Sequence, residues 1–176
     1  MAYEGHVGVR TRGDQTWQEG AACAKAVEVA WDLDLFFPTS AADDRRVALA
    51  KGICSSCQVR RTCLEKALEC GDVHGIRGGL TEAERKVVRP RFELRCEPAR
   101  VAAALSGRDV YLTRPEQQEL VRLAAASGMP TLRVATALKV SEGHVKKLLR
   151  RERRKIADTH SGAQGETSAS RVAVSV

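Results

Sequence analysis

The chain has 176 residues, 29 Lys+Arg against 22 Asp+Glu, six cysteines and an aromatic content of only 4%. That length allows one ordinary domain or two small ones, and a 43% hydrophobic content drawn largely from Ala and Val offers no region for a large core, so two small domains are expected. No run approaches the roughly 18 apolar residues of a membrane span, and the polar start Met1–Gln15 lacks a secretory pattern, which points to a soluble, cytoplasmic protein without membrane contact.

Charge divides unevenly. Residues 1–80 hold 10 Lys+Arg and 11 Asp+Glu, a net of −1, whereas residues 81–176 hold 19 and 11, a net of +8. Cys23, Cys54, Cys57, Cys63 and Cys70 all lie in the near-neutral half. One half is organised around thiols and the other around anions.

In chain order, residues 1–15 lack periodicity and are expected to be disordered. Gln18–Ala30 is an Ala-rich helix candidate carrying Cys23, and Pro38 ends the acidic-apolar segment that follows it. A helix is expected over Ala42–Lys51, with Asp43 and Asp44 in its first turn and Gly52 closing it. At about 100° per residue, Cys54, Cys57 and Cys63 could not face one point from a single helix. The expectation is therefore a turn over Cys54–Gln58 and a new helix from Val59 to Cys70, closed by Gly71. The glycine-rich stretch His74–Gly79 predicts a tight turn, and Thr81-x-x-Glu84 a capping box opening a short charged helix.

Residues 89–112 read as a linker with one helix, Ala99–Leu105. Beyond it, Thr113-x-x-Glu116 caps a helix to Ala126 with Leu120 and Leu123 on its apolar side. A second helix fits Leu132–Leu138, a three-residue turn Lys139-Val140-Ser141 follows, and a third helix fits Glu142–Lys155 with Ser141 as N-cap. Residues 158–176, rich in Ser, Thr, Gly and Ala, are expected to be a disordered tail. The fold class is all-α: a small helical cysteine domain at residues 16–88, then a small three-helix domain at 113–157.

Cys54-x2-Cys57-x5-Cys63, with Cys23 arriving from a separate helix, has the spacing of a four-thiol metal site. Structural zinc and iron-sulfur clusters both take four thiolates, and spacing alone leaves the two open. Read as a redox dithiol, Cys54-x2-Cys57 would instead make the protein a thiol-disulfide oxidoreductase, although that reading lacks a strand-rich context and leaves Cys23 and Cys63 unexplained. No other catalytic motif is present, so no enzyme is expected. Cys70 reads as buried filler or a thiol exposed on loss of the metal group, and Cys96 as an isolated linker thiol.

Trp17, Cys23, Asp34-Leu35-Phe36-Phe37-Pro38, Cys54-x2-Cys57-x5-Cys63-Leu64 and Gly75-Ile76-Arg77-Gly78-Gly79-Leu80-Thr81-x-x-Glu84-Arg85 occur in that order. Together they resemble the WhiB-like regulators of actinobacteria over residues 17–88. The resemblance implies a redox-sensing 4Fe-4S cluster held by Cys23, Cys54, Cys57 and Cys63, a disulfide in the cluster-free form, and docking on the primary sigma factor of RNA polymerase. It directs attention to Trp17, Phe36, Phe37, Pro38 and Arg77 as partner contacts, with Arg77 standing where the family carries Trp. Trp31 has no counterpart in the pattern and is expected in the core.

The basic half supports DNA binding. The spacing of Ala135, Leu138, Val140, Val145 and Leu148 resembles the buried pattern of helix-turn-helix units. With Val145, Leu148 and Leu149 inward, Ser141, Glu142, His144, Lys146, Lys147, Arg150 and Arg151 fall on solvent-facing arcs suited to a major groove. Lys146–Lys155 carries seven basic residues and one acid, a density suited to counterion release.

Overall fold

A computed structural model describes residues 9–38 and 44–169, with side chains as far as 158. Two 3-10 turns, Thr16–Gly20 and Ala22–Ala24, precede α1 (Val27–Trp31), α2 (Asp44–Ser55), α3 (Arg60–Cys70), α4 (Glu82–Glu93), α5 (Pro98–Leu105), α6 (Arg114–Ala126), α7 (Thr131–Leu138) and α8 (Glu142–Ala169). Among the described residues the fold is all-α, with one isolated antiparallel bridge, Arg77 to Leu80. No described helix is long and apolar enough to cross a membrane. The chain divides into two compact units, one of Arg10–Arg95 and one that runs from Cys96 and includes Val9.

In the first unit the break between α2 and α3 forms as the angle argument requires. Cys54 sits in the last turn of α2, Cys57 in the connection and Cys63 in the first turn of α3. α2 passes through Gly52 to Ser55, further than expected, because one glycine costs a helix interior only about 1 kcal/mol. Residues 42 and 43, expected in its first turn, lie outside the described residues. α4 opens on the expected capping box: Thr81 Oγ1 accepts from Glu84 N–H at 3.3 Å, while Glu84 Oε2 accepts from Thr81 N–H at 2.9 Å.

The continuous helix expected over Gln18–Ala30 does not form. Ala21 and Ala26 are extended (ψ 125° and 128°), cutting the segment into the two 3-10 turns and α1. Alanine's helix preference is a few tenths of a kcal/mol per residue over its neighbours, and tertiary contacts outweigh it here. The Ala22 N–H is directed at Cys57 Sγ, at 3.4 Å, instead of a preceding carbonyl. Part of the expected disordered start is also tied down, since Arg10 is ion-paired with Glu69 and Trp17 Nε1–H donates to the Asp14 carbonyl at 3.1 Å. Residues 1–8 lie outside the described residues.

The second unit is a four-helix arrangement of α5, α6, α7 and the start of α8. The stretch expected as linker is largely structural: α4 continues through Pro90 to Glu93, and Val101, Ala103, Ala104, Val110 and Leu112 are buried in one cluster with Leu120, Val121, Ala124, Val134, Val145 and Leu149. α6, α7 and the start of α8 match expectation, with the Thr113–Glu116 capping box present. Two apolar positions differ: Leu123 and Val140 are exposed, and Val121, Ala124 and Ala125 fill the face expected of Leu123. α8 continues past Lys155 to Ala169, where a tail was expected. Adding residues to an existing helix avoids the nucleation penalty, and no proline interrupts this one. Residues 170–176 lie outside the described residues.

Candidate metal centre

Cys23 from the second 3-10 turn, Cys54 from α2, Cys57 from the connection and Cys63 from α3 line one cavity of about 360 Å³. Trp17, Phe36, Phe37, Ile53, Ile76 and Arg77 share its wall. Of the residues expected at a partner surface, Trp17 and Phe36 are half-buried and Phe37 and Arg77 exposed; Pro38 is half-buried and falls outside the cavity wall. All six cysteines are free thiols, and Cys70 is exposed, which rules out its reading as buried filler; Cys96 is exposed as well.

The glycine turn closes one side of the cavity. Gly78 has φ +58°, and a Cβ there would lie 2.5 Å from Leu64 Cβ and 2.8 Å from the Arg60 carbonyl oxygen, so only glycine lets the turn rest on the start of α3. That approach brings backbone N–H groups to the sulfurs: Gly78 donates to Cys63 and Gly79 to Cys54. Burial pushes both thiols up. The N–H groups oppose it and, for Cys63, so does the Arg77 guanidinium. Metal binding at these sulfurs therefore releases protons.

Arg85, quoted in the sequence only as a motif letter, holds this turn together. It is 1% exposed. Its Nη1 donates to the carbonyls of Gly75 (2.7 Å) and Leu80 (2.8 Å), and its Nη2 to those of His74 (3.0 Å) and Asp72 (3.2 Å). One guanidinium thus serves four carbonyls of the turn, of which only that of Leu80 also accepts a bond from within it, from Arg77 N–H. An Arg four residues after a capping threonine is too common to signal such a role.

The donor set can be tested against what it could hold. A single tetrahedral zinc ion needs thiolate sulfurs about 3.8 Å apart, given Zn–S near 2.3 Å. Among the described residues no three His, Cys, Asp or Glu side chains are grouped closely enough to share one ion. Four thiols spread around one cavity, with N–H donors to three sulfurs, fit a polynuclear group that fills the space between them.

In the second unit, Ser141, Glu142, His144, Lys146, Lys147, Arg150 and Arg151 are all exposed, as expected of a reading helix. Ser141 Oγ accepts from His144 N–H at 3.3 Å. The turn before α8 depends on Lys139 adopting a left-handed conformation, φ 57°. The expected set does not form one face. His144 and Arg151 line an open trough against α6 with Arg122 and Lys155, whereas Lys146, Lys147 and Arg150 point away from it. Trp31, expected in the core of the first unit, is 87% exposed beside exposed Val27 and Leu33.

The family model for the transcription factor WhiB matches residues 17–88. The chain is 38% identical over 77 residues to the transcriptional regulator WhiB2 of Bifidobacterium longum, covering 44% of this chain and 70% of that one. It is 42% identical over 73 residues to WhiB2 of Mycolicibacterium smegmatis, 42% of this chain and 50% of that one. Against the transcriptional regulator WhiB of Streptomyces coelicolor it is 43% identical over 70 residues, 40% of this chain and 71% of that one. The matched segment is the one that builds the four-cysteine cavity, and the chain belongs to the WhiB family of transcriptional regulators.

Proposed function

We propose that the protein is a redox-responsive, cytoplasmic transcriptional regulator that binds a 4Fe-4S cluster through Cys23, Cys54, Cys57 and Cys63, docks on the primary sigma factor and contacts DNA through α8. The observation that carries this reading is that four cysteines from separate segments line one cavity. Bound there, the cluster would tie four separate segments of a thinly cored unit together, so its loss in oxidant loosens the unit. The thiols released can then pair as a disulfide. Trp17, Phe36, Phe37 and Arg77, gathered at the cavity wall, with Pro38 adjoining them in the chain, are the contacts proposed for the sigma factor.

An oxidoreductase reading is disfavoured by Cys54. It is buried, and burial raises its pKa, the opposite of an attacking thiol activated for exchange. A zinc-stabilised regulator would require the four cysteines to close in on one ion. Purification without oxygen, followed by iron, sulfide and zinc analysis and visible absorption, separates these readings. Four iron and four sulfide per chain with a brown colour are expected; stoichiometric zinc in a colourless protein would overturn the cluster.

For the basic unit, charge density along the exposed face of α8 supports DNA contact at residues 113–157, the proposed helix-turn-helix. Neutralising Lys146, Lys147, Arg150 and Arg151 is expected to weaken DNA binding and to flatten its salt dependence by about 0.9 log units per lost phosphate contact. Unaltered affinity and slope would remove DNA from the proposal.

A further inference from the structure

Two arginines share the wall of the four-thiol cavity, and they are differently committed. Arg60 is spent on the turn, its Nε donating to the Gly78 carbonyl at 3.1 Å. Arg77 sits within the turn, where its backbone N–H donates to the Leu80 carbonyl at 2.9 Å and Leu80 N–H returns a bond at 3.1 Å. Its Nε donates to Asp72 Oδ2 at 3.0 Å, so the guanidinium is tethered at the cavity rather than free to sweep through solvent. Burial works against the Asp72 carboxylate, yet the His74 N–H and Arg77 hold its pKa below the usual range, which keeps the tether charged at neutral pH.

The rest of the wall is largely apolar, including Val29, Ile53, Val59 and Ile76. Four thiolates there carry negative charge against a largely apolar wall, and the Arg77 guanidinium, partly exposed and paired with Asp72, lies on that wall and favours the charge at Cys63. We infer that Arg77 is the charge-compensating residue of this cavity, favouring its more negative, reduced state and thereby raising the midpoint potential of the bound cluster. This rests on the cluster reading above. When a one-electron reductant donates, one electron enters the cavity, no bond forms or breaks, and Arg77 keeps its proton throughout.

The test is an anaerobic titration with dithionite, followed by visible absorption, on the full chain and on Arg77→Gln and Arg77→Lys. Arg77→Gln is expected to lower the reduced-to-oxidised ratio at a given potential about tenfold, a 59 mV fall for a one-electron couple. Arg77→Lys should stay close to the parent, because charge and not shape is at issue. An unshifted Arg77→Gln, or an Arg77→Lys shifted as far as Arg77→Gln, overturns the inference. Should Arg77→Gln fail to retain iron, Asp72→Asn, which removes the carboxylate paired with Arg77, decides the matter: its midpoint potential should rise above the parent's, and an unshifted or lower value overturns the inference. A parent protein without iron and sulfide would sink the cluster reading instead.

Discussion

The two units are stabilised by different means. From Cys96 onward, thirteen buried residues of α5 to α8 and their connections form one apolar cluster, and Leu120, Ala124, Val134 and Val145 in it are wholly excluded from solvent. In Arg10–Arg95 the corresponding cluster is Leu35, Ala50, Cys54 and Ile76, one of them a thiol of the four-cysteine cavity. Ala67 and Leu68 of α3 are buried apart from it, and at roughly 25 cal/mol per Å² of apolar area these six residues cannot offset the ordering of such a chain. What stands in for a core in the first unit is the turn stapled by Arg85 and, in the function proposed above, the cluster that fills the cavity.

The largest expected effect comes from emptying that cavity. Chelation of the proposed cluster, or Cys54→Ser, should abolish slow amide exchange across α2, α3 and the glycine turn, while exchange in α5 to α7 stays at its original rate. Exchange followed by mass spectrometry checks this peptide by peptide. Equal acceleration in both units would break the contrast.

The next effect separates a polar staple from an apolar core. Arg85→Ala leaves the carbonyls of Asp72, His74 and Gly75 without the buried guanidinium and that of Leu80 with the Arg77 N–H alone, at a cost of about 3–5 kcal/mol. Arg85→Met, which restores volume but not hydrogen bonds, should recover little. Leu120→Ala in the second unit should cost about 2–5 kcal/mol, and Leu120→Met less than about 1.5 kcal/mol, because that site asks only for apolar volume. Denaturant unfolding of the four variants checks the pattern, and a well-tolerated Arg85→Met would contradict it.

Much of this contrast was legible in the sequence, and where it was not the reason is physical. The Thr81–Glu84 and Thr113–Glu116 caps, the break between Cys54 and Cys63 and the ends of α3, α6 and α7 follow from local chemistry that tertiary contacts do not contest. The Gln18–Ala30 segment misleads because alanine favours a helix only weakly, whereas delivering Cys23 and the Ala22 N–H to the cavity requires extended residues at Ala21 and Ala26. Residues 89–112 read as a linker with one helix, Ala99–Leu105, because Pro90, Pro98 and Gly107 look like breaks; that helix forms, with Pro98 at its start, a position that suits its missing N–H, and α4 runs on through Pro90. Buried Arg85 and the buried pair Arg100–Glu116 leave no periodic trace, since each side chain pairs across a turn or between helices.

The smallest expected effect is on acid stability, and it again separates the units. Glu84 is held below the usual carboxylate range, first by the hydrogen bond from Lys51 Nζ at 2.7 Å and then by Thr81 N–H, so it joins α2 to the cap of α4. Asp72, opposed by burial, is held down by His74 N–H and Arg77 on the stapled turn. Both folded-state values lie below the unfolded ones, near pH 4, so their stabilisation is complete above about pH 5 and is lost as pH falls through the folded values. Glu119, on α6, is lowered too, by Arg122, but that pair sits on the surface and contributes little. Acid titration followed by exchange should therefore loosen the glycine turn and the α2–α4 junction as pH falls through these folded values. Glu84→Gln should flatten the acid dependence of the first unit and leave that of the second unaltered. If both units lose protection at the same pH, carboxylates on the turn and cap are not what distinguishes them.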